Sequence, residues 1–309
     1  MVFSPSEALL LLHNLTVTNA DLQKIVAFEG AFERLLDIVI QEGGVEGGIV
    51  VQDCLAAIGT LLRFNTSNQV RRDTHRPAVL RALIRCPPCQ NYFRELSLLS
   101  RLPPLLSFPS PAPPPSQPPP DTFALQFWPA QKAVNSALVI SIARLLAGGG
   151  DKGGSGALAS CGMTRCLVEL VGGSNAPTAL KAQALAALTA VLEKSPKNAE
   201  LLTALAPAPL VPLPPDPEQP HAGVGYSRLA NRPFVAILVE LAVDGEARLE
   251  DDDEGRDGRR VRREAARVWE VLVGVDRSVR EGVIGTMGKP VPEPNPNDEQ
   301  EGASARYLI

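Results

Sequence analysis

The residues with the clearest chemical potential are two cysteines in the segment Cys86-Pro-Pro-Cys89. Two thiolates at this spacing can supply half of a zinc site or the pair of a dithiol–disulfide exchange. A zinc site needs two further ligands, and Cys161 and Cys166 fall in a separate predicted helical unit. A redox pair of the thioredoxin type follows a strand, and no strand is predicted before Cys86. A zinc or thiol-redox protein is kept as the third functional hypothesis.

Other catalytic patterns are missing from the sequence. The three histidines, His13, His75 and His221, are scattered, so no Ser-His-Asp arrangement is indicated. The chain contains no GxxxxGK[ST] phosphate-binding motif. The glycine-rich stretch Gly148–Gly156 lacks a preceding strand and a dinucleotide fingerprint, which favours a loop. The sequence therefore predicts no catalytic residues, no metal ligands and no cofactor.

Four amide side chains are the candidate partner-binding residues. Asn65, Asn68, Gln69 and Asn91 cluster at a predicted helix junction. In helical-repeat proteins such amides can form hydrogen bonds with the backbone of an extended ligand. The alternative is that they cap their own helices, since Asn at a helix start accepts from free backbone N–H groups.

Composition limits the class of protein. The 309 residues are 45% hydrophobic but only 5% aromatic, and 30 basic residues face 34 acidic ones, for a net charge of −4. This balance argues against a strongly basic nucleic-acid binder. No apolar run approaches the roughly 20 residues that span a bilayer. The start of the chain does not resemble a secretory signal, so five cysteines indicate a reducing compartment rather than a disulfide framework.

Apolar residues recur at helical spacing through most of the chain. In one segment they stand at Val51, Cys54, Leu55, Ile58 and Leu62, in steps of three and four. Sustained alternation typical of strands is absent, so the predicted fold class is all-α. Further helices are predicted at Glu7–Leu15, Leu22–Phe28, Phe32–Val39, Ala130–Leu146, Met163–Val171, Ala179–Leu192, Ala199–Leu205, Phe234–Val243, Val261–Val273 and Arg277–Met287.

A repeat is visible at the starts of the short helices. Asn19–Val26, Asn198–Leu205 and Asp276–Val283 each place a capping residue first, with apolar residues three and seven positions later. Each follows a longer apolar segment. Repeating helical units of about 40–50 residues predict an armadillo/HEAT-like solenoid.

A fourth copy of this pattern is interrupted. Removing Val70–Gln90 joins Asn68-Gln69 to Asn91-Tyr92 and restores the spacing, with Leu96 seven positions after Asn68. The intervening segment is basic and has no clear amphipathic face. It begins with Val and ends with Gln, whose codons can carry the boundary nucleotides of an intron. We interpret residues 70–90 as a retained in-frame intron, and a genuine surface insertion is the alternative.

Several blocks carry a resemblance to a known family. NADLQKIVAFEGAFERLLDIV from Asn19, EGGVEGGIVVQDCL from Glu42 and FNTSNQ…NYFRE resemble the armadillo-like head of the general vesicular transport factors, the Uso-type vesicle tethers. FALQFWPAQK from Phe123 and NAPTALKAQALAAL from Asn175 are similar to fungal members. Further repeat units before this region and a long coiled coil after it are typical of the family, so the resemblance implies a partial head.

The resemblance implies both domain organisation and function. Residues 1–290 would form the tether head, with proline-rich loops at 102–120 and 207–220, a charged loop at 250–260, and a disordered tail at 291–309. The implied function is non-enzymatic tethering of endoplasmic reticulum-derived vesicles at the Golgi before SNARE-mediated fusion. The implied partners are a Rab-type small GTPase, SNARE proteins and Golgi tether proteins, and no nucleic acid. The resemblance also implies that the heads dimerise, and that the protein is cytoplasmic and attaches indirectly and peripherally to the Golgi membrane.

A second helical-repeat function stays open at this stage. An armadillo-type adaptor that binds cargo peptides would show Trp and Asn recurring together along its third helices. The chain has only Trp128 and Trp269, in unrelated sequence settings.

Overall fold

Helices dominate the computed structural model, which describes residues 5–17, 19–63, 87–106, 128–147, 153–193, 195–208, 210–212, 226–243 and 253–275. The all-α fold class is confirmed. The described strands are two three-residue segments, β1 (Leu210–Pro212) and β2 (Tyr226–Arg228), which pair antiparallel.

The helices fall into repeated groups of three. In chain order they are α1 (Pro5–Val17), α2 (Ala20–Val26), α3 (Phe32–Gln41), α4 (Ile49–Leu62), α5 (Pro87–Glu95), α6 (Pro103–Leu106), α7 (Ala130–Leu146), α8 (Gly154–Ser160), α9 (Met163–Gly172), α10 (Thr178–Leu192), α11 (Pro196–Ala204), α12 (Phe234–Val243) and α13 (Asp253–Val275). A π-helical turn at Ala27–Ala31 joins α2 to α3, and 3-10 turns lie at Gly44–Glu46 and Leu98–Arg101.

Stacking of the third helices defines the solenoid. Helix α4 packs between α1 and α7, and α10 packs between α7 and α13. The units are therefore α2–α4, α5–α7, α8–α10 and α11–α13, while α1 occupies the place of a third helix before the first unit. This arrangement agrees with the predicted repeat, because α4, α7 and α10 each pack between two neighbouring third helices.

Local sequence explains the turns of unit 1. The Asn19 side chain accepts hydrogen bonds from the backbone N–H groups of Asp21 and Leu22, at 3.1 and 3.0 Å, and so caps α2 as predicted. The chain bends at Gly30 and turns again at Gly43, whose φ angles are +80° and +95°. These values lie in the left-handed region that glycine adopts without steric cost.

The predicted apolar face of α4 forms the centre of unit 1. All five of its residues, from Val51 to Leu62, are fully buried. They continue into one hydrophobic core that runs through all four units. The apolar periodicity predicted the buried face of α4 correctly because neighbouring helices cover α4 along its length.

Three predicted loops contain regular structure. Helix α13 begins at Asp253, so residues 253–260 are helical and do not belong to a charged loop. Pro103–Leu106 form a helical turn whose Leu105 and Leu106 are buried, and prolines are tolerated there because a first turn needs no backbone donor. Strand β1 lies within the predicted 207–220 loop. Residues 107–127, 213–225 and 276–309, with Asp276–Val283 and the predicted tail, lie outside the described residues.

Asn198 does not have the predicted capping role. Ser195 is the N-cap residue of α11, and Asn198 lies buried in the first turn. Its amide donates to the carbonyl oxygens of Val191 at 3.0 Å and Ser155 at 3.1 Å. The side chain thus joins α11 to the end of α10 and the start of α8, where an unpaired carbonyl would be costly.

The last residues of the interpreted intron are part of the core. Cys89 and Gln90 are buried in α5, and the Gln90 amide donates to the Leu62 carbonyl at 3.1 Å. Residues 70–86 lie outside the described residues. The Gln90 contact fastens the second unit to the end of α4, in the way that Asn198 fastens the fourth unit to α10.

Candidate partner-binding surfaces

Asn91 is the one predicted contact residue that the described structure places. It is exposed on α5, and its side-chain oxygen accepts a hydrogen bond of 2.9 Å from the Arg94 guanidinium. Asn65, Asn68 and Gln69 lie outside the described residues. The proposed cluster of four amides therefore stays a prediction.

An aromatic pair lies beside Asn91. The rings of Phe28 and Tyr92 meet edge to face with centroids 4.8 Å apart, and the Tyr92 hydroxyl lies 3.5 Å from the Phe28 carbonyl oxygen. Phe28 is 48% exposed, and Ile25, one turn earlier, is also exposed. We call Ile25, Phe28, Asn91 and Tyr92 the aromatic edge. It combines apolar area with polar groups, a composition that suits a protein contact.

The aromatic edge was not predicted from the sequence. A signal was present, because Ile25 and Phe28 stand three residues apart and away from the buried positions Gln23 and Ala27. The contribution of Tyr92 could not be read from the sequence, since 63 residues separate it from Phe28.

A second group of polar side chains surrounds the start of α7. The Lys132 side chain is only 4% exposed, and its ammonium lies 2.7 Å from a carboxylate oxygen of Glu46. The same ammonium lies 5.2 Å from the centre of the Trp128 ring, within cation–π range. The Trp128 ring N–H donates to the side-chain oxygen of Asn175 at 3.2 Å.

Amides complete this group. The buried Asn135 amide donates to the carbonyl oxygens of Val45 and Gly47, at 3.1 and 2.8 Å. Gln131 donates to Gln52 at 2.9 Å and to Asn135 at 3.1 Å. These contacts, with Lys132 and Trp128, connect the first three units to one another.

This polar junction differs from a peptide-binding groove. Trp128 and Asn175 meet in space, but their polar groups bond to each other. Trp269 packs against the core from α13. The described residues therefore use these side chains to hold the repeats together, which does not favour the cargo-adaptor hypothesis.

The thiols lie in apolar surroundings. Burial raises the pKa of Cys54 to about 11, with smaller contributions from Asp53 and Glu42. Burial likewise raises the pKa of Cys166 to about 11, assisted by the nearby Cys161. A thiol becomes a nucleophile or a metal ligand by losing its proton, so these shifts oppose both roles.

The CPPC motif is only partly placed. Cys89 is buried in α5, and Cys86 lies outside the described residues. Within the described part of the chain, no group of three or more His, Cys, Asp and Glu side chains could hold a metal. His13 contacts the Thr60 hydroxyl at 3.2 Å, while His75 and His221 fall outside the described ranges.

We expect Cys54 and Cys166 to react slowly with a thiol reagent in the folded protein. A pKa of about 11 in place of 9.0 lowers the thiolate fraction near pH 8 roughly 100-fold. Because the folded pKa is raised, labelling should accelerate as the pH rises towards 11. Peptide mapping by mass spectrometry measures each site, with unfolded protein as the control. Rapid labelling of folded Cys54 at pH 8 would contradict this expectation.

Known proteins resemble this chain over most of its length. No known family profile matches the chain. The chain is 29% identical over 237 residues to "General vesicular transport factor p115" of Bos taurus, which covers 74% of this chain and 20% of that relative. It is 51% identical over 63 residues to "Intracellular protein transport protein USO1" of Saccharomyces cerevisiae, which covers 20% of this chain and 4% of that relative. The crystal structure of Uso1-1 superposes with a TM-score of 0.62 at 25% identity, covering 90% of this chain and 36% of that one.

The fold is a helical-repeat solenoid, and the aromatic edge lies exposed on its stacked helices. The homologues of this chain are the p115/Uso1 vesicular transport factors. The chain spans about one fifth of the length of the p115 relatives. Among the described helices, none has the length and apolar character needed to cross a membrane.

Proposed function

We propose that this chain is part of a non-enzymatic scaffold that tethers transport vesicles between the endoplasmic reticulum and the Golgi before SNARE-mediated fusion. The observation that carries the proposal is the relation to p115 over 74% of the chain, in the same helical-repeat fold as Uso1-1. Tethering requires surfaces that bind other proteins, and a solenoid supplies them along its stacked helices.

The proposed partners are a Rab-type small GTPase, SNARE proteins and Golgi tether proteins, and the longer protein is proposed to form a homodimer. Its proposed location is the cytoplasm, with peripheral attachment to Golgi membrane and vesicles through these proteins. Residues 1–290 would belong to the tether head. Asn65, Asn68, Gln69 and Asn91 stay proposed contact residues, and the aromatic edge adds Phe28 and Tyr92.

The aromatic edge provides a direct test. Hot spots of protein interfaces are often aromatic, and loss of one costs at least about 2 kcal/mol. We expect the chain to bind a GTP-loaded Rab-type GTPase of the early secretory pathway in preference to its GDP-loaded form. Phe28→Ala with Tyr92→Ala should weaken this binding at least about tenfold.

The matched control is Ile40→Ala, because Ile40 is similarly exposed on α3 but lies outside the aromatic edge. Its affinity, measured by biolayer interferometry, should equal that of the unchanged chain. An equal loss of affinity in the Ile40→Ala variant and in the Phe28→Ala, Tyr92→Ala variant would reject the aromatic edge as the contact. Failure of the unchanged chain to bind the GTPases, to bind SNARE proteins or to alter vesicle tethering in a reconstituted reaction would reject the tethering function.

A further inference from the structure

Two exposed carboxylates flank the aromatic edge. Glu29 directly follows Phe28, and Glu95 stands three residues after Tyr92, which places these two side chains on the same side of α5. Both glutamates are exposed. Among the described residues, neither carboxylate has an ion pair or a side-chain hydrogen bond. Units 1 and 2 therefore each contribute one unpaired carboxylate to this surface.

A third carboxylate lies at the turn that follows Glu29. The Oε2 atom of Glu33 lies 3.9 Å from the position that a Cβ atom would occupy at Gly30. This oxygen is buried and has no hydrogen-bond partner in the described part of the chain. The nearest basic residue of α2, Lys24, lies 3.7 Å from Asp21 instead. No ion pair of the described part of unit 1 therefore neutralises the carboxylates beside the aromatic edge.

The exposed aromatic rings add a surface that attracts cations. The planes of the Phe28 and Tyr92 rings stand at 71°, and such an edge-to-face pair covers at most one face of each ring. The negative face of an aromatic ring attracts an ammonium or guanidinium group within about 6 Å of its centre. Exposed Ile25 adds apolar area that suits the methylene stem of a long basic side chain.

We propose that the aromatic edge, together with Glu29 and Glu95, binds an arginine side chain of a partner protein. The guanidinium would stack on the exposed Phe28 ring, and its N–H groups would donate to a flanking carboxylate. Arginine fits better than lysine because its planar group stacks on rings and donates to a carboxylate through two parallel N–H groups. The inference rests on the proposed function of this surface in partner binding and names the side chain that it recognises.

An apolar anchor fits the same surface less well. A leucine side chain seated between Glu29 and Glu95 would displace water from the carboxylates without supplying hydrogen-bond donors, which is costly. Five arginines precede α5 at residues 71–85. The selectivity is therefore assigned to these particular carboxylates and rings and not to a net negative charge of the region.

The test uses fluorescent peptides of about eight residues in which arginine alternates with serine, with lysine, citrulline or leucine replacing arginine in matched peptides. In fluorescence anisotropy with the full chain, the arginine peptide should bind at least about threefold more tightly than the lysine peptide. The citrulline and leucine peptides should bind at least about tenfold more weakly than the arginine peptide, because they lack the cation.

Two variants separate the charge from the ring. Glu29→Gln with Glu95→Gln should weaken binding of the arginine peptide at least about fivefold. Phe28→Leu keeps apolar area but removes the ring face, and it should weaken binding about two- to fivefold. Thermal unfolding of the glutamine variant should be unshifted, because both glutamates are exposed and unpaired among the described residues.

The control variant is Glu193→Gln with Glu200→Gln, which removes the same charge from exposed positions directly after α10 and on α11. It should retain the affinity of the unchanged chain. Equal weakening by the control and by the Glu29, Glu95 variant would reduce the effect to net charge and overturn the proposal. Unchanged binding by Phe28→Leu, equal affinity for the arginine and leucine peptides, or absence of peptide binding would also overturn it.

The peptide assay contains no GTPase, SNARE protein or vesicle, so its failure would leave the tethering function standing. Conversely, a chain that binds the arginine peptide as expected but neither binds the GTPases and SNARE proteins nor alters vesicle tethering would reject the tethering function and retain the arginine site.

Discussion

Replacing Phe93 by alanine is expected to destabilise the protein by about 3–5 kcal/mol, the usual cost of removing a fully buried phenylalanine ring. Phe93 and Phe32 are both completely buried, and their rings meet edge to face with centroids 5.0 Å apart. Phe32 begins α3 in unit 1, and Phe93 lies on α5 in unit 2. The substitution would therefore open a cavity at the contact between two units.

The control for this prediction is the neighbouring aromatic pair, in which Phe28 stands four residues before Phe32 and Tyr92 directly precedes Phe93. Phe28→Ala removes the same ring from a pair with Tyr92, but Phe28 is exposed and its loss should cost less than about 1.5 kcal/mol. Urea denaturation followed by circular dichroism measures both variants. Similar midpoints for Phe93→Ala and the unchanged protein would show that α5 does not pack on unit 1 as described.

The helices that bury a continuous apolar face were predicted best from the sequence. Helices α7 and α12 have the predicted bounds, and α10 begins one residue earlier than predicted. Each is directly preceded by a proline and buries apolar side chains against neighbouring helices. Apolar spacing and helix-breaking residues therefore agree in these segments.

Prediction failed at two places where helix propensity or a proline outweighs the apolar pattern. Residues 253–260 read as a solvated charged loop because they contain no apolar repeat, but they extend α13, and Arg side chains favour helix. Asn198 reads as a cap because Asn is common there, but Pro196 moves the helix start to Ser195 and leaves Asn198 buried. Neither outcome follows from local spacing alone.

The candidate site shows the same limit. The amide cluster was inferred from residue type, and Asn91 is the member that can be placed. The aromatic edge requires Phe28 and Tyr92, which meet because α5 packs against the turn after α2. A contact across two units is a property of the stack, and it cannot be predicted from the residue pattern of a single sequence.

The structure also gives a physical reason why the chain without Val70–Gln90 should fold. Asn198 donates to the carbonyl of Val191, seven residues earlier in the chain. Gln90 donates in the same way to Leu62. After the deletion, Gln69 precedes Asn91 directly and stands seven residues after Leu62, so the buried amide is restored at the spacing found in unit 4.

The spacing of the units supports the same conclusion. The starts of α2 and α5 are 67 residues apart, against 42 for α8 and α11, and the deletion would reduce 67 to 46. That value falls within the range of about 40–50 residues expected for a unit of this solenoid. The deletion removes Cys89, which is buried in α5. Asn68 would take the place of Cys89, directly before Gln69, whose amide replaces that of Gln90.

We therefore predict that deletion of residues 70–90 raises the free energy of unfolding by about 1–2 kcal/mol. The connection between α4 and α5 becomes shorter by 21 residues, which reduces the entropy lost when its ends are held together. The predicted contact residues outside these buried positions, Asn65 and Asn91, should also bind the tethering partners more tightly. Urea denaturation measures the stability, and binding to a GTP-loaded Rab-type GTPase measures the partner affinity.

Two controls make this deletion decisive. Deleting residues 70–90 together with Gln69→Ala removes the amide that should replace Gln90, and it should cost about 1–3 kcal/mol relative to the simple deletion because the Leu62 carbonyl loses its buried donor. Deletion of residues 71–90 leaves Val70 before Asn91, shifts the register by one residue and should be less stable than deletion of residues 70–90. A retained-intron origin further requires that spliced transcripts join the codons of Gln69 and Asn91. A deletion variant less stable than the parent chain, or transcripts that retain the segment as the dominant message, would establish residues 70–90 as a true structural insertion.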